Sequence, residues 1–117
     1  MGYEPKYVKV YDMNLNISYI MFNMMTYATE ADSDDEDGGM VIVLDITTKK
    51  RIANKCGVTL SRVNHTVAQL KKEGLLRRIG YAIYQFNPYK VGKGKWSDIT
   101  VTRTVWDRET KKDETQG

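Results

Sequence analysis

Cysteine and histidine are scarce in this sequence of 117 residues, which contains one of each, Cys56 and His65. A single cysteine excludes an internal disulfide and is typical of a reducing compartment. We expect Cys56 to be a small core residue on the inner face of a helix. The lone histidine has no second histidine, cysteine or carboxylate cluster near it in the sequence, so it does not indicate a metal site. We therefore expect no cofactor.

Long apolar runs and catalytic groupings are also missing. No apolar stretch is long enough to cross a bilayer, and no charged-apolar-small leader opens the chain, so we expect a cytoplasmic protein with no membrane partner. No Ser/His/Asp group is evident, and a nicking enzyme would need a pair of metal-binding histidines where this chain has one. We expect a protein that is not an enzyme.

Apolar residues with helical spacing lie on both sides of the tripeptide Gly57-Val58-Thr59. They are Ile52, Ala53 and Cys56 before it, and Leu60, Val63, Val67 and Leu70 after it. Glycine can end the first helix because it adopts positive φ without a Cβ clash, and Thr59 can cap the second. Thr47 or Thr48 is the expected cap of the first. The pattern predicts two short helices joined by a three-residue turn, the second over residues 60–73.

After Gly74 the apolar period changes from helical to two. Leu75, Arg77 and Ile79 alternate before Gly80, and Tyr81, Ile83 and Gln85 alternate after it. This predicts a β-hairpin with its turn near Gly80. Helix, turn, helix and hairpin in this order make a winged helix, a module used mostly to hold DNA. We therefore predict an α+β fold, mainly α: a winged helix-turn-helix with an N-terminal helix and a β-hairpin wing.

The N-terminal part predicts a strand over residues 4–11, placed at a sheet edge by Pro5, and then a helix capped by Asp12 or Asn16. The apolar stripe of this helix consists of Ile17, Ile20, Met21, Met24, Met25 and Ala28. Such a helix is either buried or pairs with another chain. Core packing is one interpretation, and a homodimer through this helix is the other. The candidate dimer residues are Met21, Phe22, Met24, Met25 and Tyr27.

The charge of +3 is unevenly distributed. Six carboxylates crowd residues 30–37, and without them 18 basic residues face nine acidic ones. We expect residues 30–39 to be an acidic disordered loop. Its spacing resembles a calcium loop, but Asp37 occupies the position of the required glycine and the closing glutamate is missing. A basic body favours a polyanionic partner, although a solvated surface explains the charge equally well.

A buried strand is expected over residues 40–44 and should pair with the hairpin. The C-terminal part begins after the hairpin. Trp96 should anchor a lysine-rich loop to the core. Ser97 could cap a last helix with a stripe of Trp96, Ile99, Arg103 and Trp106, although the β-branched run 100–105 would also suit a strand. The domain prediction is a DNA-binding domain over residues 1–106 and a flexible tail over residues 107–117.

The outer face of the second helix carries side chains that read base edges in the major groove, mostly from its N-terminal half. The candidate base-reading residues are Ser61, Arg62, Asn64 and His65. The candidate contacts to the DNA backbone are Thr48, Lys49, Lys50, Gln69, Lys71, Lys72, Arg77, Arg78, Lys93 and Lys95. Arg77 and Arg78 should face opposite ways because they are neighbours in a strand. An ordinary polar helix face is the alternative interpretation.

Several motifs resemble a known family. They are Ile52-Ala53, Gly57-Val58-Thr59, Glu73-Gly74-Leu75-Leu76, Tyr84-Gln85-Phe86-Asn87-Pro88 and Gly92-Lys93-Gly94. In these the chain resembles the RepL-type replication proteins of plasmids and phages of Gram-positive bacteria over about residues 7–99. The resemblance implies a winged-helix protein that binds an origin and recruits host replication machinery without enzymatic activity.

Together these observations predict a sequence-specific protein that binds double-stranded DNA as a homodimer and initiates plasmid or phage replication with host replication proteins. A small winged-helix transcriptional regulator would need the same groove contacts. A winged helix used for protein–protein assembly is the alternative from another class. Salt-dependent duplex binding separates that last alternative from the first two.

Overall fold

A computed structural model describes residues 8–32 and 39–116 of the chain. These residues form an α+β structure with four helices and five short strands, roughly half of it helical. The elements in chain order are β1 (Lys9–Val10), α1 (Tyr19–Tyr27), β2 (Val41–Val43), α2 (Ile46–Cys56), α3 (Leu60–Lys72), β3 (Leu76–Gly80), β4 (Ile83–Phe86), β5 (Val91–Gly92) and α4 (Trp96–Gln116).

The two central helices meet at the turn that the sequence predicts. Gly57 ends α2 with φ of 66°, in the left-handed region that glycine adopts without a Cβ clash. Thr59 caps α3 by accepting a hydrogen bond from the backbone N–H of Arg62. The expected caps of α2 are wrong, because Asp45 accepts the N–H of Thr48 and the helix begins at Ile46.

A three-stranded antiparallel sheet follows in the order β2-β4-β3. The hairpin β3–β4 turns through Tyr81 and Ala82, directly after Gly80, as predicted. Strand β2 pairs with β4, with Ile42 opposite Tyr84, so the predicted pairing of this strand with the hairpin is confirmed. The connection from the sheet to α2 is short. Leu44 donates its N–H to the carbonyl of Ala82, and α2 begins two residues later, at Ile46.

Helix α1 packs against α2 and α3 and supplies much of the core. Met21, Met24 and Met25 are buried completely within the chain, together with the inner residues of α2 and α3. The helix is capped by Ser18 rather than by Asp12 or Asn16, because the Ser18 hydroxyl accepts the N–H of Met21. The three methionines are therefore core residues, and their assignment to a dimer interface is wrong.

The N-terminal strand is shorter than expected. Within the described residues it comprises only Lys9 and Val10, which pair with β5. Of the acidic segment, Glu30 and Asp32 are described, and the backbone N–H of Ala31 between them donates to the carbonyl of Lys93. The expected disorder and the calcium spacing of residues 33–38 lie outside the described residues.

The last helix is longer than the sequence suggests. Helix α4 continues to Gln116, so residues 107–116, expected as a flexible tail, are helical, and so is the β-branched run. Trp96 is half-exposed and does not anchor in the core. Its ring instead meets Tyr11 edge-on and the Arg103 guanidinium at 4.9 Å. Tyr89 donates a hydrogen bond to Asp107, which ties α4 to the loop after β4 and raises the pKa of the Tyr89 phenol.

Candidate nucleic-acid interface

The helix pair α2–α3 concentrates positive charge. Residues 46–72 contain no aspartate or glutamate, and their seven cationic residues are Lys49, Lys50, Arg51, Lys55, Arg62, Lys71 and Lys72. Six of these side chains are exposed, and Lys49 is half-buried. No carboxylate within residues 46–72 offsets this positive charge.

The outer face of α3 lies opposite its buried stripe of Val63, Val67 and Leu70. Ser61, His65, Ala68 and Lys72 are exposed and share this outer face, because residues three, four and seven apart lie on one side of a helix. Asn64 is also exposed, beside this row. The candidate base-reading residues are thus all on the surface, and His65 is nearest the centre of the face.

Arg62 occupies a flank of α3 rather than the centre of its outer face. With Thr66 and Glu73 it lines a cleft of about 430 Å³ whose other wall is the segment before α1, including Asp12. Hydrogen bonds from the Asn14 N–H and from Lys90 hold the pKa of the Asp12 carboxyl below its usual value. Arg62 therefore lines a cleft that contains two carboxylates, Asp12 on the opposite wall and Glu73 at the end of its own helix.

The other flank of α3 faces the hairpin. The Lys71 ammonium lies 5.9 Å from the centroid of the Tyr84 ring on β4. Next to it, Lys49, Arg78, Tyr81 and Tyr84 line a shallow depression of about 410 Å³ between the start of α2 and the hairpin. This depression combines two cations with two aromatic rings.

The first turn of α2 is fixed by Asp45 at the edge of the same depression. Thr48 donates both its backbone N–H and its hydroxyl to the Asp45 carboxylate, which lowers the pKa of that carboxyl. The Thr48 hydroxyl, a candidate contact to the DNA backbone, is thus engaged in capping. Lys50, two residues later in the helix, is exposed.

Two of the candidate contacts to the DNA backbone, Lys93 and Arg77, instead bind groups within the fold. Lys93 is only 4% exposed, and its ammonium donates to the carbonyl of Ala28 at 2.8 Å and to that of Thr26 at 3.4 Å. Its assignment as an exposed DNA contact is wrong, because it binds the C-terminal end of α1, where a helix concentrates partial negative charge. Lys95, two residues later, is exposed.

Arg77 and Arg78 face opposite ways, as predicted. Arg77 donates to the side-chain oxygen of buried Gln85 at 2.8 Å, and its guanidinium lies 5.1 Å from the centroid of Trp106 on α4. It is packed within the fold, so its assignment to the DNA backbone is wrong. Arg78 is exposed and donates to the carbonyl of Gly80. Gln69 is exposed but donates to Glu73 one turn later.

The sequence prediction missed the two tyrosines of the hairpin. The sequence places Tyr81 only in the alternating pattern, but it lies at the tip of the hairpin and is 88% exposed. Its position next to the predicted turn was the signal that could have identified it. Tyr84 was missed because its proximity to Lys71 depends on how the hairpin packs beside α3.

Neither a metal cluster nor a membrane span is found in residues 8–32 and 39–116. These residues contain no group of three or more metal-ligating side chains. No helix among them is both long and apolar enough to cross a membrane.

Fold and surface together define a small α+β protein with a carboxylate-free, cationic helix pair followed by an antiparallel hairpin. The family model described as Firmicute plasmid replication protein (RepL) matches residues 41–116, from the first residue of β2 to the last of α4. The chain belongs to the RepL family, which makes it a protein related to plasmid replication. No curated protein and no solved structure matches it significantly.

Proposed function

We propose that the chain is a winged helix-turn-helix protein that binds a specific double-stranded DNA sequence in plasmid or phage replication and acts there without enzymatic activity. Helix α3 is the reading helix and the hairpin β3–β4 is the wing. The observation that carries the proposal is the charge of residues 46–72, which contain seven cationic residues and no aspartate or glutamate and are bordered by the caps Asp45 and Glu73. Family membership supports the replication role, and recruitment of host replication proteins is the finer part of that role.

The placement of charge fits a duplex better than an arbitrary polyanion. Ser61, Asn64 and His65 offer donors and acceptors on the exposed N-terminal half of α3, the half that usually reaches deepest into the major groove. Lys49 and Lys50 lie early in α2, where the helix dipole disfavours cations. A phosphate beside these lysines compensates that cost. Lys72 and Arg78 extend the cationic surface to either side.

Helix α1 supplies a surface for the proposed homodimer. Phe22 and Tyr27 remain 50% and 38% exposed, whereas the methionines of the same helix are buried. A twofold pair formed around Phe22, the more exposed of the two rings, presents two copies of α3 to one side of the DNA, so the site contains inverted half-sites about one helical turn apart.

The test is selection of bound fragments from the source replicon by the purified protein, followed by titration of the recovered duplex and of a random duplex at several salt concentrations. We expect the recovered duplex to bind more tightly than the random one and both affinities to fall with salt. Equal affinity for the two duplexes, or no binding of either, contradicts the proposal.

Asn64→Ala examines the reading helix directly. Loss of a bidentate base contact costs about 1–3 kcal/mol on the recovered duplex and much less on the random one. Asn54→Ala, the same change at an exposed position of α2, is the matched control and should leave the ratio of the two affinities unchanged. An equal loss on both duplexes after Asn64→Ala removes this residue from base reading.

A further inference from the structure

The tip of the hairpin presents a large aromatic side chain to solvent. Tyr81 is 88% exposed, the highest value among the described tyrosines, and it occupies a two-residue turn with Ala82. Such turns favour Gly, Asn or Asp, because these residues adopt positive φ at little cost. Here an alanine, Ala82, occupies a position of this kind, with a positive φ of 57°. Neither turn chemistry nor packing accounts for the dipeptide Tyr81-Ala82 at this position.

The hairpin that carries Tyr81 is held on both sides. Its turn is tied to the end of β2, because the Leu44 N–H donates to the carbonyl of Ala82. Its base is tied to α4 through Arg77, which bonds to buried Gln85 and stacks on Trp106. These contacts fix the position of the turn relative to the rest of the fold. A side chain that inserts between base pairs needs such a fixed support.

The surroundings of Tyr81 are suited to nucleic acid. Tyr81 borders the depression that also contains Lys49, Arg78 and Tyr84. Asp45 also lines the depression, and its carboxylate accepts the hydrogen bonds of Thr48. Two cations beside an exposed ring can neutralise phosphates while the ring contacts a base.

We propose that Tyr81 is a wedge that enters the minor groove next to the segment read by α3 and stacks on a base at an opened base-pair step. The inference rests on the proposed function and specifies its partner as duplex DNA that is deformed at one step. Apolar and aromatic side chains that enter between base pairs in this way kink the duplex by roughly 20–90° toward the major groove. Arg78 and Lys49 contact the flanking phosphates.

The experiment uses the full chain and the duplex recovered in the selection, with 2-aminopurine placed in turn at each step flanking the site. Unstacking of this base raises its fluorescence. We expect the wild-type protein to raise the signal at one flanking step. Tyr81→Ala should abolish the increase and weaken binding by roughly fivefold or more, with the salt slope unchanged, since stacking carries no charge.

Three variants control this result. Tyr81→Phe and Tyr81→Leu retain a wedge and should keep the fluorescence increase. Val101→Ala removes part of an exposed apolar side chain from α4, outside the proposed DNA and dimer surfaces, and should change neither affinity nor fluorescence. Circular dichroism of each variant verifies the fold.

The outcomes separate this inference from the proposed function. If the wild-type protein binds the recovered duplex but no flanking 2-aminopurine responds, or if Tyr81→Ala keeps the response, the wedge is wrong and the proposed function stands. If the wild-type protein binds no duplex specifically, the proposed function fails and the wedge fails with it.

Discussion

Lys93 and Lys95 make a matched pair in which one lysine is structural and the other is exposed. Lys93→Met keeps the length of the side chain and removes the ammonium that donates to the carbonyls of Ala28 and Thr26. Lys95→Met makes the same change two residues later, at an exposed position. The structure therefore predicts that two identical substitutions have different effects on the free energy of unfolding.

The size of the effect follows from three contributions at Lys93. A hydrogen bond from a charged donor contributes about 1.5–3 kcal/mol, and of the two here only the one to Ala28, at 2.8 Å, is short. The attraction of the ammonium to the helix end adds up to about 2 kcal/mol in partly buried geometry. Relief of the cost of burying the charge acts in the opposite direction. We expect a net loss of about 1–3 kcal/mol after Lys93→Met.

Urea unfolding followed by circular dichroism measures this difference. A loss of about 1–3 kcal/mol lowers the midpoint by roughly 0.5–2 M at the slopes usual for small proteins. Lys95→Met should stay within about 0.5 kcal/mol of the wild type. Titration of a duplex gives an independent measurement, because loss of one phosphate contact lowers the salt slope by about 0.9. The reasoning is refuted if Lys93→Met is as stable as Lys95→Met and lowers the salt slope by that amount.

Three further predictions concern the cationic surface, the proposed dimer and acid stability. Arg78→Ala should weaken recovered and random duplexes alike and lower the salt slope by about 0.9, and an unchanged slope removes Arg78 from the phosphate contacts. Phe22→Glu should convert the proposed dimer into a monomer in sedimentation, whereas a wild-type protein that is monomeric at micromolar concentration contradicts that dimer. The hydrogen bonds from Thr48 lower the pKa of the Asp45 carboxyl below 3.8, so its stabilisation is present above that pH and is lost as the pH falls through the lower folded-state value. Asp45→Asn still caps α2 and should reduce the loss of stability below pH 3.8 in unfolding measured at decreasing pH, and an acid profile identical to that of the wild type contradicts this.

The elements nearest the central turn could be predicted because local chemistry determines them. Gly57 adopts the left-handed backbone that ends α2, and the Thr59 hydroxyl accepts the N–H that begins α3. The period of Val63 and Val67 identifies the buried side of α3 without reference to any other element. Each of these signals depends on residues within about one helical turn of one another, so it can be identified from the local sequence.

The cap of α2 was missed because neighbouring residues compete for it. Asp45 and Thr47 are both good caps by residue type. What decides between them is the sheet, since β2 ends at Val43 and the Leu44 N–H donates to Ala82, a residue of the hairpin turn 38 positions later in the sequence. The helix then begins at Ile46. A long-range strand pairing thus sets a helix boundary that local propensity leaves open.

The assignments of Arg77 and Lys93 to the DNA backbone failed because each cation binds an element that is distant in the sequence. Alternation along β3 predicts that Arg77 and Arg78 point apart, but only the position of Trp106 on α4 determines that Arg77 is the packed one. Lys93 is predicted as a contact to the DNA backbone, but the end of α1 that binds its ammonium lies more than sixty residues earlier in the sequence. The sequence correctly predicts that the methionines of α1 form an apolar stripe. The stripe alone does not show whether the same chain or a second copy covers it.

The charge available to the proposed DNA partner is therefore smaller than the composition suggests, and it is differently placed. Lys93 and Arg77 bind groups of the fold, and Lys90 forms an ion pair with Asp12 at 3.2 Å. Arg103 lies among the rings of Tyr11, Tyr89 and Trp96. All four lie outside residues 46–72. The salt dependence of duplex binding should accordingly respond to neutralisation within α2 and α3 and at Arg78, and not to neutralisation of these four cations.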